Sequence, residues 1–250
     1  MKVPSYLVSS PIPWDKEQNF EPNSFDEILS QLMGQSCDGL YLFGTSGEGY
    51  AVSENEFSKI VAQFAETTSS WSGYRQVGCF GLSTSQIKWK CKVCEELNIK
   101  QIQITLPFWK ELTDDELDIF FSELCGEFQD LEFLLYNNPR NKRRLKGEEL
   151  ERLHRKNNNL IAAKTGSGNW MEIYELLNNS PSINHFLTEA SFSYGYQINR
   201  SGFSPSYHYV FPDRCRSFYE AVVSNDIELA DKIHHEIMNF FFKTAKPLLD

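Results

Sequence analysis

Short apolar runs alternate with stretches of helical periodicity along almost the whole chain, and this alternation constrains the fold more than any other feature. A short apolar strand followed by an amphipathic helix is a βα unit, and repeated units build a parallel sheet. The strand-like runs are Tyr6–Val8, Gly39–Phe43, Gln76–Phe80, Gln101–Leu106, Leu131–Tyr136, Leu160–Lys164, Ile183–Leu187 and a weaker Ser201–Ser204. Capping boxes, in which a hydroxyl and a Glu three residues on satisfy each other's backbone amides, mark helix starts at Ser24/Glu27, Ser53/Glu56 and Thr113/Glu116. Apolar stripes such as Phe57, Ile60, Val61 and Phe64 follow them. Eight such units predict an α/β fold, a (β/α)8 TIM barrel over residues 1–224, with a short helical C-terminal extension over 225–250. An open doubly wound sheet with fewer strands is the alternative. Towards its end the extension carries Phe240-Phe241-Phe242, an apolar stretch that needs a partner surface.

Composition narrows the function. Lys and Arg total 24 against 34 Asp and Glu, a formal net charge of −10, which disfavours nucleic acid and anionic membranes as partners. No apolar run approaches the roughly 18–20 residues that span a bilayer. The opening stretch has no apolar segment of the signal-peptide kind, and six irregularly spaced Cys read as reduced thiols, so a cytoplasmic location is expected. Cys91 and Cys94 form a lone CxxC inside a helical pattern, with no second pair to complete a zinc site; both are expected to pack as small apolar residues.

In a barrel of this kind chemistry lies at the carboxyl ends of the strands. Three strand ends stand out. Gly44-Thr45-Ser46-Gly47-Glu48-Gly49 offers backbone amides and two hydroxyls that can converge on an anion. Its plain alternative is a turn that uses glycine for its backbone angles. Tyr136-Asn137-Asn138-Pro139 puts a phenol at a strand end before a turn. Lys164 ends the run Leu160-Ile161-Ala162-Ala163. Facing inward, it sits among apolar side chains that favour the neutral amine, which can attack a carbonyl to form an imine. Facing outward, it reaches solvent like most strand-end lysines.

Together these motifs resemble the dihydrodipicolinate synthase / N-acetylneuraminate lyase family of class I, Schiff-base aldolases. That family carries a Gly-Thr/Ser-Thr-Gly-Glu loop after strand two, Tyr-Asn-x-Pro after strand five, and a Schiff-base Lys before a small Ser-Gly-containing turn after strand six. Gly44–Glu48, Tyr136–Pro139 and Lys164–Gly168 match in order and spacing, and weaker similarity covers nearly the whole chain.

The resemblance implies roles. Lys164 forms the imine with pyruvate or another 2-oxo acid, and Tyr136 moves protons. Thr45 and Ser46, with the Gly47 backbone, hold the carboxylate, and Phe203 contributes its carbonyl to the pocket. It implies no cofactor and no metal, a small-molecule 2-oxo acid partner, and a homodimer or homotetramer built through Phe108 and Trp109. It also implies a C-terminal region longer than the one present here. Two positions depart from the synthase pattern. The Arg that follows Tyr-Asn-x-Pro there aligns with Asn141, flanked by Arg140 and Arg143, and a proton-relaying Tyr aligns with Trp109. The expectation is therefore a lyase or aldolase other than the synthase. The alternative is a non-catalytic homologue that binds a 2-oxo acid or only assembles.

Overall fold

The structure is a computed structural model that describes residues 5–35 and 37–248. Residues 1–4, which begin the opening stretch, 36 and 249–250 lie outside the described residues. Eight strands run β1 (Leu7–Ser9), β2 (Gly39–Leu42), β3 (Tyr74–Cys79), β4 (Gln101–Ile104), β5 (Glu132–Tyr136), β6 (Leu160–Thr165), β7 (Asn184–Leu187) and β8 (Gly202–Phe203). Each pairs in parallel with the next in chain order. A parallel bridge between Tyr6 and Phe203 links the last strand to the first, and the Phe203 amide donates to Ser5 O at 2.7 Å. The expected (β/α)8 barrel is the observed fold.

The helices are α1 (Pro22–Met33), α2 (Glu54–Thr67), α3 (Thr84–Glu96), α4 (Asp114–Glu127), α5 (Gly147–Lys156), α6 (Trp170–Asn179), α7 (Phe192–Ile198), α8 (Pro212–Val223) and α9 (Ile227–Phe240). The capping boxes at Ser53/Glu56 and Thr113/Glu116 are both formed. Ser24 is not an N-cap: α1 starts earlier, with Pro22 at its first positions and Glu21 as cap. Proline suits the first turn because its missing N–H would lack an intrahelical partner there anyway, and its fixed φ is already helical. The Ser24 hydroxyl reaches back to the Glu21 carboxylate at 3.4 Å instead. The short α7 lacks the long apolar stripe that marks the other helices in the sequence; it buries Phe192 and Gly195.

Strand side chains alternate between two cores. Outward residues such as Val8, Leu42, Val77, Ile104, Leu135 and Ala163 pack under the helices, while Leu7, Tyr41, Leu134, Ala162 and Phe186 fill the barrel interior. One irregularity positions the site. Between β5 and β6, Phe133 pairs with Leu160 but Leu134 pairs with Ala162, so Ile161 is an extra residue. Leu160 packs outward, and strict alternation would send residues 162 and 164 outward too. The bulge resets the period, so Ala162 and Lys164 face inward and Lys164 lies beside Tyr136.

α9 buries Ala230, Ile233 and Ile237. Its last residue, Phe240, meets Tyr207 and Phe211 edge-on with ring centroids 5.6 and 4.8 Å apart. The partner surface expected for the aromatic run is thus supplied in part by the chain itself, while Phe242 stays exposed.

Candidate active site

Lys164 is buried at the interior end of β6, with 6% of its surface exposed. Its Nζ donates to Tyr41 Oη at 2.7 Å and lies 4.6 Å from the Tyr41 ring centre and 5.3 Å from that of Tyr136. Burial pulls the lysine pKa down, as expected from an apolar setting, but the facing hydroxyls of Tyr41 and Tyr136 outweigh it and raise the pKa above the ordinary value. The expectation of a resting neutral amine is corrected on this point. The surroundings are buried yet not apolar, because phenol oxygens and a buried carboxylate, Glu189, replace water around the ammonium. For Tyr41 burial acts upward, yet the ammonium prevails and lowers its pKa, helped by the Ser9 and Ser204 hydroxyls.

Tyr136 closes β5, half-buried, and its Oη lies 3.3 Å from Thr45 Oγ1. Its backbone is pinned by the turn that follows. Asn141 Nδ2 donates to Tyr136 O at 2.8 Å, and Asn137 exchanges two bonds with the Leu145 backbone, each 2.8 Å. Asn141 is buried, and the position aligned with the synthase Arg thus ties down the end of β5 while also lining the cavity beside it. Arg143 is taken up by Asp114, Glu149 and the Leu112 carbonyl, and Arg144 by Glu172. Arg140 is exposed and lines a cavity of about 350 Å³ with Thr45, Phe80, Thr105, Phe108 and Tyr136. The buried Thr105 hydroxyl and the Asn141 amide oxygen have no partner.

The loop after β2 is not a glycine turn chosen for positive φ. Its left-handed positions are Phe43 (φ 59°) and Glu48 (φ 51°), and no described glycine has positive φ. The glycines give room instead. A Cβ on Gly44 would fall 2.7 Å from the Tyr41 ring, and one on Gly49 2.5 Å from Phe43 Cβ. Thr45 faces the tyrosine; Ser46 is exposed beside it, and Gly47 is buried against the Phe43 backbone. A second buried lysine, Lys90 on α3, donates to Phe80 O at 2.8 Å and Gly49 O at 3.3 Å, tying this loop to the end of β3.

Lys164, Tyr136 and Thr45 thus come together, with Ser46 and Gly47 adjoining. Phe203 does not present its side chain to them. It stacks on Tyr6 and Phe192 in the outer core, with ring centroids 5.5 and 4.6 Å apart, and its backbone takes part in barrel closure. From this strand end it is Ser204 that reaches the interior, beside Tyr41. Sequence reasoning missed three further members. Tyr41 read as one more apolar residue of a strand, and its only signal was its alternation with Leu40 and Leu42. Glu189 is buried and accepts from the Ser206 amide at 2.9 Å, and burial raises its pKa although Lys164 opposes this. Ser204 carried no motif. Cys91 and Cys94 are fully buried, with Cys94 Sγ 3.8 Å from Cys79 Sγ, and they pack as expected. Among the described residues no group of three or more His, Cys, Asp or Glu could hold a metal ion. Nor is any helix there long and apolar enough to cross a membrane.

Comparison with known proteins places the chain in a family. The model of the dihydrodipicolinate synthetase family matches residues 5–247. The chain is 22% identical to a 4-hydroxy-tetrahydrodipicolinate synthase of Hydrogenobaculum sp. (strain Y04AAS1), over 90% of this chain and 78% of that protein. It is 24% identical to N-acetylneuraminate lyase 2 of Escherichia coli O6:H1, over 87% and 71% of the two chains. Among solved structures, a prophage protein of the dihydrodipicolinic acid synthase family from E. coli K12, in complex with pyruvate, shares the fold. It superposes with a TM-score of 0.86 at 14% identity, over 94% of this chain and 81% of that one. The chain belongs to the dihydrodipicolinate synthetase family.

Proposed function

We propose that the protein is a Schiff-base lyase or aldolase acting on pyruvate or another 2-oxo acid. The observation that carries this reading is a buried lysine at a barrel strand's carboxyl end, enclosed by two tyrosines, one of them bonded to Thr45. Lys164, once deprotonated, attacks the ketone, and loss of water leaves a protonated imine. That cation withdraws electrons from the adjacent carbon, so a carbon–carbon bond can be broken or made there without a cofactor. Tyr136 moves the proton at the bond being cleaved or formed. Thr45 supplies a hydroxyl to the 2-oxo acid's carboxylate and to Tyr136, and Ser46 and the Gly47 backbone complete the carboxylate cradle.

The aldehyde half would occupy the aromatic cavity beyond Tyr136. We place its identity outside the synthase's own substrate, because Asn141 offers no cation and Trp109 no proton relay. A coupled assay with pyruvate and aspartate semialdehyde is expected to give little product. Robust turnover would assign the carboxylate role to Arg140, the guanidinium that lines this cavity.

Incubation with pyruvate and borohydride tests the core of the proposal. One reduced pyruvate adduct per chain is expected, and Lys164→Arg should abolish it, because a guanidinium stays protonated and does not attack. Equal labelling of the variant would remove Lys164 as the nucleophile. Absence of any adduct in the unaltered protein would favour a non-catalytic homologue.

A further inference from the structure

The amine of Lys164 cannot act while it carries three protons, and its pKa is held above the ordinary value. Some group must therefore take a proton from it inside a closed barrel. Four titratable or charged groups share this space: Lys164 on β6, Tyr41 on β2, Tyr136 on β5 and Glu189 after β7. Of these, Tyr41 is the group in hydrogen-bond contact with Nζ, at 2.7 Å. Tyr136 directs its hydroxyl to Thr45, and Glu189 is bonded to the Ser206 amide. The Tyr41 ring is fixed in place, since it occupies the space a side chain on Gly44 would need. It is 4% exposed, so water does not readily replace it as the proton carrier.

We propose that Tyr41 is a catalytic residue: its phenol oxygen takes the proton that frees the Lys164 amine and returns it to the oxygen that leaves as water. This assignment rests on the functional reading above. The step balances as follows. The ammonium passes one proton to the Tyr41 phenolate, giving a neutral amine and a phenol. The nitrogen lone pair forms the bond to the carbonyl carbon while the carbonyl π pair moves to oxygen. The nitrogen's second proton passes to that oxygen, giving a neutral carbinolamine. Tyr41 then protonates the hydroxyl, the carbon–oxygen bond breaks, and water leaves. The products are a protonated imine, one water and the phenolate restored, with no oxidant or reductant involved. Labour is thereby divided between two phenols, Tyr41 at the nitrogen and Tyr136 at the carbon–carbon bond.

The test is the rate of pyruvate adduct formation, trapped with borohydride over a range of pH, in the unaltered protein and in Tyr41→Phe. The variant's maximal rate should fall by about 10²-fold or more, the usual weight of a general acid–base group, while prolonged incubation still labels Lys164. Its pH profile should move to lower pH, because burial then acts on the lysine without Tyr41 opposing it. A protein carrying 3-fluorotyrosine at position 41 keeps the hydroxyl and the packing but lowers the phenol pKa; its profile should also move to lower pH. This second protein covers the case in which Tyr41→Phe folds poorly. An unchanged rate and profile in a folded Tyr41→Phe, or an unmoved profile with fluorotyrosine, would reduce Tyr41 to a packing residue. Both results leave the lyase reading intact, whereas no adduct in the unaltered protein would overturn that reading and this one together.

Discussion

On the proposed reading, Tyr136 contributes little more to the chemistry than its hydroxyl. The Tyr136 ring packs against Phe80, with centroids 6.2 Å apart, and its strand end is held by Asn141, so Tyr136→Phe keeps the packing and loses only the hydroxyl. Turnover on a competent 2-oxo acid aldol should drop by about 10²–10⁴-fold, while imine trapping at Lys164 survives at least in part. Steady-state assays beside borohydride trapping would separate the two, and an unchanged turnover would move the proton-transfer role elsewhere. Lys164, Tyr136 and the Thr45-Ser46 pair were legible as strand-end residues because their types are unusual after an apolar run. Tyr41 and Ser204 were not, because a tyrosine inside a strand or a serine just after one is ordinary until the opposite wall of the barrel is known.

Helix starts offer a comparison within one chain. Ser53 accepts from the Glu56 amide and Glu56 returns the bond to the Ser53 amide, whereas Ser24 lies in the first turn of a helix already begun by Pro22. Ser53→Ala is therefore expected to lower stability by about 1 kcal/mol, and Ser24→Ala to change it by only a few tenths. Chemical denaturation of the two variants measures this. Equal losses would mean that the hydroxyl at 24 does more than reach Glu21. The two serines share the same local pattern, Ser-x-x-Glu. What separates them is the proline two residues before Ser24, which sets helical φ early. The same local limit hid α7, too short for a helical stripe to stand out.

For the molecule as a whole, acid should be destabilising through its buried histidines. His185 is fully enclosed, its Nε2 meets Ser180 Oγ at 2.8 Å, its Nδ1 has no partner, and burial lowers its pKa to about 4. His208 bridges Tyr6 Oη at 2.7 Å and Gln35 Oε1 at 2.6 Å, and burial likewise lowers its pKa to about 4. A histidine whose folded pKa lies below its unfolded value takes up its proton on unfolding. Its contribution is therefore complete above the unfolded value of roughly 6.5 and is lost as pH falls towards 4, by at most about 3 kcal/mol for each ring. Glu189, with a raised folded pKa, works in the opposite sense, its contribution fading as pH rises. Melting temperatures should fall steadily from pH 6.5 to 4, and His185→Gln should flatten that slope. A level profile would mean that the rings are hydrated. Assembly belongs to this scale too. Trp109 is 83% exposed on the loop after β4, where the family resemblance implies a dimer contact, and a homodimer at least is expected. Light scattering coupled to size exclusion decides it; a 29 kDa monomer at micromolar concentration would remove the expectation.

The order of eight βα units, their apolar faces and the three strand-end motifs were determined by the sequence alone, because periodicity and turn chemistry are local. Local pattern also carried the family resemblance, through the loop at Gly44–Glu48, Tyr136–Pro139 and Lys164. It could not say which way Lys164 points. Alternation counted from Leu160 would turn the lysine outward, and only the pairing of β5 with β6, with Ile161 left unpaired, turns it inward. Nor could it supply the amine's surroundings. Tyr41 lies 123 residues away in the chain, and it is the tertiary fold that sets its hydroxyl 2.7 Å from the lysine nitrogen. That contact replaces the expected apolar pocket with a polar one and reverses the direction in which the lysine's proton affinity moves, because at a buried site the nearest phenol decides where the charge rests.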